Sequence, residues 1–222
     1  MVAPNGKSSA HCPHSPQKVF QSDRVRTDYA LSGGRPGART TISLVDKSVV
    51  IVPGLRGSGP DHWQTRLQAS HPAYRRVMQH DWLKPQLADW AAALDGAIAA
   101  AGRDVFVVAH GFGCLATLAR LENRSADVLG VLLVAPRRPD EFGFEPKLLS
   151  VPTILAASRT DVWMPFSEAQ ALAHVLHARF VDAGDAGHID GAWPMAERLL
   201  SKLFHLAEAR ERQLRVALAI SN

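Results

Sequence analysis

From residue 48 onward, short continuous apolar runs alternate with segments whose apolar residues recur at helical spacing. Such runs are typical of strands that are buried on both faces, which occur where helices cover a parallel sheet. Strands joined through helices form βαβ units, and these pack into helix, sheet and helix layers. The pattern therefore predicts an α/β fold, a three-layer sandwich of about six mostly parallel strands with helices on both faces.

The individual elements follow from where each run begins and ends. The predicted strands cover residues 48–53, 74–79, 104–109, 128–135, 152–157 and 179–182. The predicted helices cover about 61–70, 85–102, 112–123, 166–178 and 193 onward. Asp61 is the expected cap of the first helix, and Pro85 is expected at the start of the second. Apolar runs of this length are too short to span a bilayer, so no membrane partner is expected.

The first 45 residues have a different character, because Pro, Gly and Ser recur there without any periodicity. Residues 1–47 hold seven of the 25 Lys and Arg residues but only three of the 21 Asp and Glu residues, so the net charge of +4 resides in this segment. We expect a disordered basic extension over 1–45 and one folded domain over 46–222. Because that domain is neutral, no nucleic-acid interface is expected on it.

Two cysteines exclude a disulfide framework, and their spacing offers no structural zinc site. A reducing, cytoplasmic location is therefore expected, with neither metal nor cofactor. Ligands of open parallel sheets bind at the carboxyl ends of the strands. The residues that follow each predicted strand are thus the candidates for function.

A sharp turn follows the third predicted strand, in the sequence Ala109-His110-Gly111-Phe112-Gly113. A strand, a turn of small residues and a helix make up the nucleophile elbow G-x-S-x-G. Ala109 and Gly113 occupy the outer small positions of that elbow. Gly111 occupies the position of the nucleophile, and it has no hydroxyl group.

An acid and a base follow the fifth and sixth strands, in the order expected after an elbow. Asp161 is the candidate acid, with Asp140 as its rival, and His188 is the candidate base. A carboxylate orients such an imidazole, which then deprotonates a hydroxyl group. Backbone N–H groups near Leu55 and at Phe112 are the candidates for an oxyanion hole.

These residues lie within motifs that resemble the retinoblastoma-binding-protein-nine family of small serine hydrolases, including its bacterial members. The motifs span about residues 48–205 and read VPG-x-x-GSGPDHWQ, QHDW, VVAH-x-x-GCLA, AASRTD and GDAGHI…WP. The resemblance implies an α/β-hydrolase fold with little or no cap, and hydrolysis of a small carboxylic ester by a Ser–Asp–His triad. It implies Asp161 as the triad acid and His188 as the base. His62 and Trp63 match a family motif in the first loop and helix; they either contact the substrate or pin the first helix against the sheet. His110 is a further candidate for substrate binding, with a packed residue of the elbow as its alternative.

The chain departs from the family at two positions, since Gly111 stands where the family has its serine and Asp190 where it often has asparagine. Without the serine Oγ no acyl-enzyme forms, so the chain is expected to be inactive or very weak. Three explanations stay open: a natural pseudo-hydrolase, a deliberate replacement, and another nucleophile such as Cys114 or Ser58. The alternative function is binding of an ester-like ligand, or of a protein partner, without catalysis.

Overall fold

A computed structural model describes residues 47–220 apart from Arg103 and Arg124. These residues belong to one compact unit, which covers 41–222. The strands are β1 Val49–Val52, β2 Arg75–Arg76, β3 Val105–His110, β4 Val128–Val134, β5 Thr153–Ala157 and β6 Arg179–Asp182. The helices are α1 Trp63–Ser70, α2 Leu87–Ala101, α3 Phe112–Asn123, α4 Phe166–Val175 and α5 Met195–Ile220. The predicted extension over 1–45 lies outside the described residues.

The six strands form one open sheet in the order β2-β1-β3-β4-β5-β6, and every neighbouring pair is parallel. β1, β3 and β5 are buried along their whole length. Their continuous apolar runs reflect this burial, because helices cover both faces of the sheet. The predicted α/β class and the six-stranded parallel sheet are confirmed.

Two apolar cores lie on opposite faces of the sheet. On one face, α2 and α3 pack through residues that include Trp90, Leu94 and Leu115. On the other face, α1 and α5 pack through Trp63, Leu200 and their neighbours. The connection from β4 to β5 contains a single 3-10 turn, Asp140–Phe142, rather than an inserted helical layer. The three-layer arrangement therefore leaves the carboxyl ends of the strands without a helical cap at this connection.

Local details differ from the sequence prediction at three places. The predicted strand 74–79 shortens to two residues, because this segment lies at the edge and pairs only with β1. Asp61 does not cap α1; the Nδ1 atom of His62 accepts the N–H of Gln64 and performs that role. Pro85 lies before the cap of α2, which is Gln86.

Helix α5 is much longer than the other helices. Its first half packs on the sheet through residues such as Leu203 and Phe204, whereas every side chain from Glu211 to Ile220 is exposed. No helix among residues 47–220 combines the length and the apolar character that a bilayer span requires.

Candidate active site

The turn at Gly111 lies between the end of β3 and the start of α3. Gly111 has φ +55°, in the left-handed region that glycine adopts without steric cost. Its N–H donates to the carbonyl of Val134 on the neighbouring strand, and its own carbonyl accepts from Cys114. The strand, the turn and the helix are therefore arranged as predicted, and the role of residue 111 as the nucleophile position stays a prediction.

Gly113 allows this turn to lie against the first loop. A Cβ atom at Gly113 would overlap the carbonyl oxygen of Pro53 and would lie 2.7 Å from that of Val52. No real side chain tolerates such distances to backbone atoms, so only glycine fits at this position. The close approach brings the start of α3 beside the loop that carries Leu55.

Asp161 and His188 form a hydrogen-bonded pair beside the turn. The Nδ1–H of His188 donates to the carboxylate of Asp161, at 2.9 Å from Oδ2 and 3.1 Å from Oδ1. The Asp161 side chain is 1% exposed and that of His188 is 17% exposed. Oδ1 of Asp161 also accepts the N–H of Trp163. The carboxylate thus orients the imidazole, and in the neutral ring it holds the proton on Nδ1 and leaves Nε2 as the acceptor.

Nε2 of His188 faces Gly111. A Cβ atom built on Gly111 would lie 3.3 Å from this nitrogen and 3.6 Å from the Cα atom of Gly54. A serine at position 111 would therefore place its side chain directly in front of the imidazole. Asp140, the rival acid, is instead an exposed residue that pairs with Arg138.

The two candidate N–H donors each belong to the residue that follows one of two adjoining glycines, Gly54 and Gly111. Phe112 begins α3, where backbone N–H groups have no partner within the helix. Leu55 follows Gly54, whose Cα atom adjoins the side-chain position of residue 111. Within the described part of the chain, neither N–H donates a hydrogen bond to a backbone carbonyl of a turn or loop. Their role in an oxyanion hole stays a prediction.

Two buried histidines, His110 and His62, follow His188 in a row of ring contacts. The Nε2–H of His110 donates to the carbonyl oxygen of His188, 2.9 Å away, and the ring of His110 lies between those of His62 and His188. Burial, with smaller contributions from His62 and His188, holds the pKa of His110 well below its ordinary value, so it is neutral at neutral pH. His62 and Trp63 are also buried. Contacts of these three residues with a substrate stay predictions.

Two buried polar residues that sequence reasoning did not single out hold the site loops together. Gln64 donates from Nε2 to the carbonyls of Val52 and Val108 and accepts from the hydroxyl of Ser58. Ser158, at the end of β5, donates to the carbonyl of Gly184 and accepts the N–H of Ala186. In the sequence, the one feature that points to a role for Ser158 is its place as a polar residue directly after a buried strand.

The side chains of the alternative nucleophiles, Cys114 and Ser58, already have hydrogen-bond partners. Cys114 is fully buried, its thiol contacts the carbonyl of Val134, and burial raises the pKa of that thiol far above its ordinary value. The hydroxyl of Ser58 donates to Gln64. Among residues 47–220, no group of three or more His, Cys, Asp and Glu side chains could hold a metal ion.

Known proteins can be compared with this arrangement. A family model described as serine hydrolase matches residues 49–202, which is most of the chain. The chain belongs to the serine hydrolase family. The protein YdeN of Bacillus subtilis strain 168 is 28% identical over 162 residues, which make up 64% of this chain and 85% of YdeN.

Solved structures of other proteins are similar to this fold. A YdeN-like hydrolase of Pectobacterium atrosepticum is 32% identical, with a TM-score of 0.68 over 73% of this chain and 91% of its own. The B. subtilis ydeN product is 23% identical, with a TM-score of 0.61 over 72% and 99% of the two chains. The esterase RhEst1 of Rhodococcus, at 12% identity and a TM-score of 0.55 over 73% and 90%, shares the fold alone. The site thus lies in an α/β-hydrolase framework of the serine hydrolase family.

Loss of the Ser158 hydroxyl should destabilise the acid and base loops together. Ser158→Ala leaves the N–H groups of Ala186 and Thr160 without the hydroxyl oxygen that accepts them. It also removes one of the two donors to the carbonyl of Gly184, which keeps the N–H of Arg159, so we expect the free energy of unfolding to fall by about 1–3 kcal/mol. Urea denaturation measures the loss. Ser167→Ala, at an exposed position of α4, is the matched control and should change stability little. Equal stabilities of the two variants would contradict this role of Ser158.

Acid should weaken the fold through His62. Burial, with Arg76 and His188 adding to it and Asp190 opposing it, lowers the pKa of His62 to about 4. The unfolded chain takes up this proton near pH 6.5, so the stabilisation is complete above that pH and is lost as the pH falls toward 4. We expect a loss on the order of 1–3 kcal/mol over that interval.

Denaturation at a series of pH values tests this dependence. His62→Asn can keep an acceptor for the N–H of Gln64 but removes the titrating ring, so its stability should vary less between pH 4 and 6.5. His80→Asn alters an exposed histidine and should retain the full dependence. An unchanged pH dependence in His62→Asn would refute the assignment.

Proposed function

We propose that the chain carries the ester-hydrolysing site of a small serine hydrolase of the retinoblastoma-binding-protein-nine type, with Gly111 in place of the nucleophilic serine. The observation that carries this proposal is the position of His188. Its Nδ1 is held by Asp161, and its Nε2 lies 3.3 Å from where the side chain of residue 111 would begin.

Each residue has a role that follows from its contacts. Asp161 orients the imidazole and stabilises its charged form, and His188 acts as the base. The N–H groups of Leu55 and Phe112 donate to the oxygen of a tetrahedral intermediate. The proposed substrate is a small carboxylic ester, as the resemblance to the retinoblastoma-binding-protein-nine family implies, and the strand ends are open at the connection from β4 to β5.

The missing hydroxyl restricts what the native chain does. Without it the acyl-enzyme route is closed, and binding together with the oxyanion donors supplies at most ~10³–10⁴-fold acceleration over water. The lack of this one group, beside an intact Asp161–His188 pair, favours a second candidate function, which is binding of an ester-like ligand or a protein partner without turnover.

A fluorophosphonate probe tests the proposed site, because it reacts with an activated serine. Gly111→Ser should be labelled at residue 111, whereas the native chain should not be labelled there. Labelling of Gly111→Ser must also disappear when His188 is changed to Ala. A folded Gly111→Ser protein that resists the probe would remove the catalytic roles of Asp161 and His188.

A further inference from the structure

The imidazole of His188 is a complete base without a protein hydroxyl in front of it. Its Nε2 forms no hydrogen bond with any residue that the structure describes, and this nitrogen is accessible to solvent. Because Gly111 has no Cβ, the place where a serine side chain would begin is free of atoms of residue 111. A water molecule is small enough to lie there within hydrogen-bond distance of Nε2.

Resting on the proposed ester site, we propose that the native chain hydrolyses activated esters by direct attack of water, with His188 as the general base. The water oxygen bonds to the carbonyl carbon while Nε2 of His188 takes one of its protons. The electron pair of the C=O bond moves to the oxygen, which accepts from the N–H groups of Leu55 and Phe112. The C–O bond to the leaving group then breaks, and His188 returns the proton to the departing alkoxide. The products are a carboxylic acid and an alcohol, and no other reactant is needed.

The contacts of the other candidate nucleophiles support water as the attacking group. The thiol of Cys114, in α3, contacts the backbone carbonyl of Val134 at the end of β4. The hydroxyl of Ser58 donates a hydrogen bond to the side chain of Gln64. Two other histidine nitrogens are already engaged, since His110 donates its Nε2–H to the carbonyl of His188 and His62 accepts the N–H of Gln64 at Nδ1. Nε2 of His188 lies 3.3 Å from the position where the side chain of residue 111 would begin, which makes His188 the base that the geometry favours.

This route differs from the serine route in its reaction with inhibitors. Hydrolysis through an acyl-enzyme stops when a fluorophosphonate modifies the serine, whereas direct attack by water offers the reagent no hydroxyl at position 111. The native chain is therefore treated with excess fluorophosphonate, which also silences contaminating serine esterases. Release of p-nitrophenol from p-nitrophenyl acetate is then measured.

We expect hydrolysis that survives the treatment and depends on His188. His188→Ala should lower kcat/KM by ~10²-fold, the contribution of a positioned general base. His188→Gln serves as a second variant of similar size in case the first one unfolds. His174→Ala, an exposed histidine on α4, is the matched control and should keep the native rate. Intact-protein mass spectra recorded during turnover should contain no acetyl adduct.

Each other outcome has a definite meaning. If the native chain is no faster than His188→Ala while Gly111→Ser is active and labelled, direct attack by water is refuted and the proposed ester site stands. If neither protein hydrolyses the ester, both proposals fall. An acetyl adduct on the native chain that forms at the rate of turnover would identify a protein nucleophile and would also refute attack by water.

Discussion

Gly111→Ser should hydrolyse p-nitrophenyl esters with a kcat/KM at least ~10²-fold above that of the native chain. The reason is that Asp161 and His188 are already paired, and the new side chain would begin 3.3 Å from Nε2 of His188. A hydroxyl placed there can be deprotonated as it attacks, which opens the acyl-enzyme route. Steady-state kinetics with and without fluorophosphonate measures the gain. The gain should vanish when Gly111→Ser is combined with His188→Ala.

The same substitution should reduce stability. Gly111 has φ +55°, where a serine is strained, and 3.3 Å is a tight contact for a Cβ atom, so the ring of His188 must shift slightly. We expect the free energy of unfolding to fall by about 1–2 kcal/mol. Gly143→Ser is the matched control, because Gly143 has φ +60° with open space around it and lies away from His188. It should show the cost of backbone strain while its rate of ester hydrolysis stays at that of the native chain.

Gly113→Ala should destabilise the fold more than any other single methyl group added at a glycine of the site. Its Cβ would overlap the carbonyl oxygen of Pro53 and press on that of Val52, and both are backbone atoms that cannot rotate away. We expect a loss of about 3 kcal/mol, the upper part of the range for overpacking, measured by urea denaturation. In the Gly111→Ser background, ester hydrolysis should fall as well, because the loop with Leu55 must move.

Gly96→Ala is the matched control for this change. Gly96 lies in the middle of α2 with no atom near its missing Cβ, so alanine should stabilise the helix by up to about 1 kcal/mol. The two glycines both lie in helices, and they differ in what a methyl group would meet. Similar stabilities of Gly113→Ala and the native chain would mean that the backbone at Val52 and Pro53 moves away from the new methyl group at little energetic cost.

Much of the fold could be predicted because its strands are buried on both faces. The continuous apolar runs of β3 and β4 and the bounds of α3 follow from local patterns. The approach of His188 to Asp161 also agrees with expectation, since both follow neighbouring parallel strands. Their catalytic roles stay predictions.

The polar contacts that hold the loops together could not be predicted in the same way. Gln64 reaches a carbonyl 44 residues away, and Ser158 reaches an N–H 28 residues away. No periodicity in the chain encodes such pairs. The left-handed backbone of Ile189, a buried β-branched residue with φ +53°, could not be predicted from the neighbouring residues either. Long-range hydrogen bonds, rather than local preference, decide how the loop with His188 is held.

The position of Gly111 also has a genetic consequence. No described contact of the Asp161–His188 pair depends on a side chain at residue 111, so the pair can persist while that residue changes. Some glycine codons differ from serine codons by a single nucleotide. From such a codon, one nucleotide change would place a serine in front of His188. Under the proposed function, that single change would convert a non-covalent site into a covalent one without rebuilding the acid, the base or the sheet that holds them.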